Sequence, residues 1–264
     1  MKTALIITLN YLLLLNTLTA QVSGISASKL SAINTETIPV NSFEFEPSFL
    51  VGFSSKYWNN NSSILDSFPK RDSLETISQL NFRFTYGLID NLEVGFSIPG
   101  DASSLSVGTK FKIFKKNKNS VALITGFNTP LGNKTYRISN KVNSINELDN
   151  SLAMGIVYSK EFTENLSLDL NLEYQTHLNS SKNYSDFFIN TDLGYYINKI
   201  QLILGLYYAS NSNVQNSNKF TINIGTTIER NDDFILVLNF PIDVYGKNAK
   251  QIYGFGFAFT YPVK

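Results

Sequence analysis

The sequence predicts an all-β protein: a transmembrane antiparallel up-and-down β-barrel of about twelve strands. Three observations carry that expectation. The chain opens with an export signal, it alternates apolar and polar residues over unusually long segments, and long connections between those segments alternate with short ones. An exported chain without an apolar helix-length segment beyond its signal either stays in water or crosses a membrane as strands.

The N-terminus runs Lys2, an apolar stretch from Ala4 to Leu15, then Thr17-Leu18-Thr19-Ala20 ahead of Gln21. Positive, apolar and small segments in that order read as a secretory signal over residues 1–20, cleaved after Ala20. The apolar run is shorter than the ~18 residues of a spanning helix. Without Lys2, the 22 basic residues fall level with the 21 acidic ones, so the mature chain is neutral and offers no field for nucleic acid. Charged residues are 16% of the chain, against roughly 25% in soluble domains. Aromatics reach 13%, with 14 Tyr and 20 Phe, so part of the surface is expected to face something other than water. The absence of Cys excludes a disulfide scaffold, a thiol nucleophile, a thiolate metal site and lipid attachment through a thiol.

Residues 21–41, rich in Ser and Thr and without strong periodicity, form an N-terminal segment that reads equally as a periplasmic tail or as a plug. The barrel is expected over 42–264. Its first strand, about 42–57, alternates Phe43, Phe45, Phe49, Val51, Phe53 and Tyr57 with Glu44, Glu46, Ser48, Ser54 and Lys56. The next, 74–87, alternates Leu80, Phe82, Phe84 and Tyr86 with Gln79, Asn81, Arg83 and Thr85. Strands at 91–98, 103–114, 120–128 and 151–162 follow. The clearest is 165–178, where Leu166, Leu168, Leu170, Leu172 and Tyr174 interleave with Ser167, Asp169, Asn171, Glu173 and Gln175. Such a run is longer than the 5–6 residues of a typical globular strand. Strands at 185–197, 200–210, 219–229 and 233–243 lead to 250–261, whose Tyr253, Phe255, Phe257, Phe259 and Tyr261 share one face. Segments of about ten alternating residues are the signature of a membrane barrel. The competing sandwich carries more charge outside and shorter strands.

Short turns are expected at Ile89-Asp90-Asn91, 115–119, 163–165, Asn198-Lys199 and 230–233. Longer polar loops are expected at 58–73, 99–102, 129–150, 179–184, 211–218 and 244–249. Tight turns on the periplasmic side and longer loops outside place both chain ends in the periplasm. Aromatic girdles follow: Tyr57, Trp58, Phe127, Tyr208 and Tyr245 at the outer rim, and Phe43, Tyr86, Phe114, Phe162, Phe234 and Tyr261 at the inner one.

Four segments add a resemblance. Thr35-Glu36-Thr37-Ile38-Pro39-Val40-Asn41-Ser42-Phe43-Glu44-Phe45-Glu46 is similar to the lead-in of outer-membrane proteins of the meta-pathway of phenol degradation. Phe84 to Gly95, with its Gly87-Leu88-Ile89-Asp90-Asn91-Leu92-Glu93 turn, resembles that family's strand–turn–strand signature. Leu105 to Ile113 and Leu123 to Gly132 resemble its next two strands. The likeness covers about 35–132; beyond that only the pattern agrees. The chain departs at its end, where Pro262-Val263-Lys264 follows Tyr261 and barrels commonly finish on an aromatic. The resemblance implies a transporter- or porin-type barrel in the cell outer membrane, with a hydrophobic or aromatic solute. It carries no catalytic residues over.

No enzyme is expected. His177 is the lone His, and a nucleophile and base must meet within hydrogen-bond reach of an orienting third group. The alternation turns it to the lumen rim. No metal or cofactor is expected either: Asp66, Asp72, Glu75, Asp149 and Asp232-Asp233 lack a calcium-loop spacing and read as solvated loop charges. Gly108 and the Gly254/Gly256 pair read as close backbone packing or curvature.

The candidate site is therefore the lumen. Its inward residues are Glu44, Glu46, Arg83, Glu93, Lys110, Lys112, Asp169, Glu173, His177, Asp192 and Glu229. Twelve strands lie between the filled eight-stranded barrel and the open sixteen-stranded one, so two functions compete. One is passive passage of a small solute; the other is a closed structural or surface-interaction barrel working through the 129–150 loop. Expected partners are outer-membrane lipid, the barrel-assembly machinery and the solute.

Overall fold

The computed structural model describes residues 22–26, 29–67, 74–131, 150–178, 184–212, 216–231 and 234–263. The expected export signal, most of the 129–150 loop and the acidic positions Asp72, Asp149, Asp232 and Asp233 lie outside the described residues.

Strands form wherever two-residue alternation puts apolar side chains on one face. They are β1 (Phe43–Trp58), β2 (Ile64–Asp66), β3 (Glu75–Ile89), β4 (Leu92–Pro99), β5 (Ser104–Lys116), β6 (Asn119–Pro130), β7 (Ser151–Glu161), β8 (Leu166–His177), β9 (Ser185–Ile197), β10 (Ile200–Asn211), β11 (Ser217–Asn231), β12 (Phe234–Lys247) and β13 (Ala249–Val263). Every neighbour pairs antiparallel, and β13 returns to β1 along Phe43↔Val263 to Trp58↔Ala249, which closes the sheet. The three-residue β2 only extends the loop after β1, pairing with Lys56–Trp58, so twelve strands build the wall. Closure leaves no edge of unpaired amides, which is what hydrocarbon demands.

The faces sort as the alternation requires. Leu152, Met154 and Ile156 on β7, Leu202 and Leu204 on β10 and Tyr253 on β13 are exposed on the outside, where lipid covers them. Rings crowd the outer face from β12 through β13 and β1 to β4, as in Phe84–Phe96 at 4.8 Å, Phe45–Phe84 at 4.9 Å and Phe240–Phe255 at 5.1 Å. Inward stand Glu93, Lys110, Asp169, Asn171, Glu173 and Asp192, all buried.

Two-residue turns close β5–β6 and β9–β10, with Asn117 and Asn198 each at φ 55°. Asn tolerates that left-handed conformation, so these hairpins are written locally. Three expectations are corrected. The 244–249 loop is a single residue, Asn248 at φ 48°, because β12 and β13 run on to meet it. Trp58 is no girdle residue: it is 2% exposed, and its ring lies where a side chain on Gly246 would stand. Glu75 is no solvated loop charge but a buried strand residue bridged to Lys250 at 2.8 Å.

Candidate functional site

Residues 22–26 and 29–38 run through the inside of the barrel. Val22, Ile25, Ala32, Ile33 and Ile38 are buried there, and Val22, Ile25 and Ile33 form one apolar cluster with Ala122, Ile124 and Val157 of β6 and β7. The middle of the barrel is thus a small hydrophobic core set among the charged inward residues. The local cause is that Ala122, Ile124 and Val157 take the inward phase of their strands.

A segment whose only sheet pairing among the described residues is a single bridge at Ile33 must still satisfy its amides. Inward carboxylates and amides do so here. Glu93 accepts the Ser26 amide at 2.7 Å, the Ser26 hydroxyl at 2.7 Å and the Ile38 amide at 2.9 Å. Asp192 accepts three successive amides, from Leu30 at 2.9 Å, Ser31 at 3.0 Å and Ala32 at 3.0 Å. Asn171 accepts from Ile33 at 2.9 Å, Ser159 from Thr35 at 3.0 Å, and Glu173 from Val22 at 2.9 Å. Ser23 and Ser97 share a short hydroxyl contact. Lys29 answers Asp169 at 2.7 Å, and Asp169 also accepts the Ser159 hydroxyl at 2.6 Å.

Close approach needs a bare wall as well. Gly95, Gly108 and Gly126 are register partners across β4, β5 and β6. A Cβ on Gly95 would collide with the Gly24 carbonyl, and one on Gly108 with the Ser23 carbonyl. Gly24 itself holds φ at 86°, a backbone conformation that side chains oppose.

The expected lumen residues fall into distinct groups. Glu44, Glu46 and Arg83 form one: Arg83 donates to Glu44 at 2.5 Å and to Glu46 at 2.8 Å, while Thr260 donates to Glu46 at 2.6 Å. Glu93 and Lys110 form the next, at 3.2 Å. Lys110 also donates to the Ser26 and Asn34 carbonyls. Asp169, Glu173 and Asp192 form a third, on β8 and β9. The charges therefore pair along the wall and with the N-terminal segment, not across open water.

Three residues stand apart from that middle zone. Lys112 lies at the periplasmic end, bridged at 2.8 Å to Glu36, which Lys115 also reaches at 3.1 Å. Burial pushes the Glu36 carboxyl up, but the hydrogen bonds and charges of Lys112 and Lys115 together outweigh it and hold the group below its ordinary value of 4.5. Glu229 is half-buried near the periplasmic end of β11. His177 sits at the opposite rim, its Nε2 2.9 Å from Asp186 and its ring edge-on to Tyr184. Ser151, its cross-strand partner, is buried and accepts a hydrogen bond from Gln175.

Sequence reasoning missed Lys29, Asp186 and Asp243. Asp243 accepts from Thr221 at 2.5 Å and bridges Lys219 at 3.2 Å. Asp186 was readable, since it shares the inward phase of Asn190 and Asp192. Lys29 was not, because its segment has no periodicity.

Two cavities meet the segment from opposite ends. The outer one, about 210 Å³, is lined by Arg83, Glu46, Gln79, Asn81, Ser104 and Ser106, with Val22, Ile25 and Ile33 as its floor. The periplasmic one, about 230 Å³, is bordered by Lys29, Asn34, Thr35, Glu36 and Asp169. Residues 33–35 thus lie between the two. Among the described residues no group of three acidic or His side chains could hold a metal ion.

The closed wall with its apolar outer face is an outer-membrane barrel. An outer membrane channel from Pseudomonas putida F1 superimposes with a TM-score of 0.66 at 14% identity, covering 86% of this chain and 97% of that one. The NanC porin superimposes with a TM-score of 0.50 at 9% identity, over 82% of this chain and 99% of that one. At such identities the likeness is one of fold. Among curated protein sequences none matches this chain. The family model described as "Putative MetA-pathway of phenol degradation" matches residues 76–259, leaving the Thr35–Glu46 lead-in outside but taking in the C-terminal half. That match spans more than half of the chain, and the protein belongs to this family.

Proposed function

We propose that the protein is an outer-membrane channel, not an enzyme, which lets a small hydrophobic or aromatic solute diffuse through, with residues 22–26 and 29–38 as its constriction. The observation that carries this reading is the pair of cavities divided by residues 33–35. A barrel built only for structure gains nothing from unfilled space at both ends of its lumen. Two roles then fall to the inward residues: Glu93, Asp169, Glu173 and Asp192 hold the constriction, while Arg83 and Glu46 border the outer vestibule, with Glu44 behind them as a partner of Arg83.

The chemistry of that vestibule refines the solute. Its hydroxyls, amides and guanidinium suit a hydrogen-bonding group, while Val22, Ile25 and Ile33 suit an apolar body. A compact aromatic bearing a hydroxyl meets both demands, in keeping with the family's description. Folding into the membrane would engage outer-membrane lipid and the barrel-assembly machinery.

Uptake of phenol and single-channel conductance, measured in liposomes and planar bilayers, test the reading. The wild type is expected to pass phenol faster than empty vesicles, and a variant lacking 22–38 to conduct ions more strongly. If neither protein passes solute or current, the barrel is closed and structural.

A further inference from the structure

The periplasmic rim of β5, β6 and β7, whose Lys118, Asn119 and Lys160 also border the mouth of the periplasmic cavity, carries an outward feature. Lys116, Asn119 and Lys160 are successive register partners across the three strands. Their neighbours fix the direction: Lys115 reaches inward to Glu36, and Ser159 inward to Thr35, so Lys116 and Lys160 take the outward phase. The next outward row toward the membrane centre is Phe114, Val121 and Tyr158, again in register. Phe114 and Phe162 are exposed, and the Lys160 ammonium stands 4.8 Å from the Phe162 ring centre.

Tyr158 donates its hydroxyl to Asn119 Oδ1 at 2.6 Å. That bond occupies the Asn119 carbonyl oxygen, which leaves the amino group of the same amide as its donor. Lys118, in the turn beside them, is exposed as well. None of these three lysines pairs with a carboxylate among the described residues, whereas Lys29, Lys110, Lys112, Lys115, Lys219 and Lys250 all do. Lys116 and Lys160 rise from strands about 10 Å apart, a gap that two lysine stems close around one tetrahedral anion.

We propose that this rim binds the phosphate of an anionic phospholipid in the periplasmic leaflet, with Lys116 and Lys160 as cationic arms and the Asn119 amide between them. The position selects a lipid over a free anion. Aromatic rings of the row above lie at the depth of acyl-chain carbonyls, and the three donors lie at the depth of headgroups. Tyr158 is a positioning residue, acting through Asn119.

The whole protein in detergent, titrated with phosphatidylglycerol or phosphatidylcholine and read by native mass spectrometry, tests this. The wild type is expected to retain phosphatidylglycerol preferentially, with the preference weakening as salt rises. Lys116→Gln and Lys160→Gln should each lower it about fivefold, and Tyr158→Phe by less. Lys160→Arg should keep it, as should Lys247→Gln at the opposite rim. Heat-modifiable migration confirms that each variant is folded. Equal retention of the two lipids by the wild type would overturn the proposal. So would an undiminished preference in the Lys116→Gln/Lys160→Gln double variant, or an equal loss in Lys247→Gln.

Discussion

Glu93 on β4 and Lys110 on β5 are direct cross-strand partners, both wholly buried, and their 3.2 Å ion pair is capped by the chain's own N-terminal segment. Glu93 takes amides of Ser26 and Ile38, and Lys110 gives to carbonyls of Ser26 and Asn34. A buried pair is tolerable only when its remaining donors and acceptors are satisfied, and here the segment supplies them. Barrel wall and N-terminal segment are therefore one hydrogen-bonded unit.

Asp192→Ala should loosen the constriction while leaving the barrel folded. It removes the acceptor of three amides, each bond to a charged group contributing about 1.5–3 kcal/mol. Single-channel recording should show larger or more frequent openings than in the wild type. Unchanged traces would mean that Asp192 does not hold the segment.

Gly108→Leu should expel the segment by sterics alone, because its side chain needs the space of the Ser23 carbonyl and meets no wall backbone there. Strand propensity favours the replacement, so the barrel itself should fold. Protease nicking within 22–38 in the folded variant, absent from the wild type, is the expected readout.

Arg83→Glu should destabilise strongly. The reversed charge would face Glu44 and Glu46 in a buried site that now has one cation for two carboxylates. A loss on the order of 3–5 kcal/mol, read from the urea midpoint in lipid, is expected. A change in ion selectivity without loss of stability would instead describe a water-filled lumen.

The Glu36 latch predicts an acid response. Its folded value lies below 4.5, so its contribution is complete above that pH and is lost as pH falls through the folded value. Lys112 and Lys115 then lose their partner at the periplasmic mouth. Because Glu36 is half exposed, the effect should be small and weakened by salt. Glu36→Gln should remove the acid-induced step in conductance or segment proteolysis; its persistence there would place the titration elsewhere.

Topology can be read with single cysteines, since the chain has none of its own. Asn60→Cys, in the loop after β1, should react with a membrane-impermeant maleimide on intact cells. Asn117→Cys, in the β5–β6 turn, should react only after the outer membrane is breached. The opposite pattern would invert the barrel.

What the sequence determined by itself is the wall. Alternation is a local property: Leu168 against Asp169, or Phe84 against Arg83, assigns each side chain to lipid or lumen without reference to any other strand. Turn residues such as Asn117 and Asn198 added the hairpins, and the Gly108 reading anticipated a close backbone contact. Even the misjudged ends, Asn248 and Trp58, err only in how far a strand continues. What occupies the lumen was decided by tertiary structure alone. Residues 22–38 have no period, and their contacts reach across 55 residues to Glu93 and 162 to Asp192. No local rule pairs an amide with a carboxylate that far along the chain. Only the closed barrel brings Glu93, Glu173 and Asp192 around one strand-free segment, where burial makes satisfying its amides obligatory.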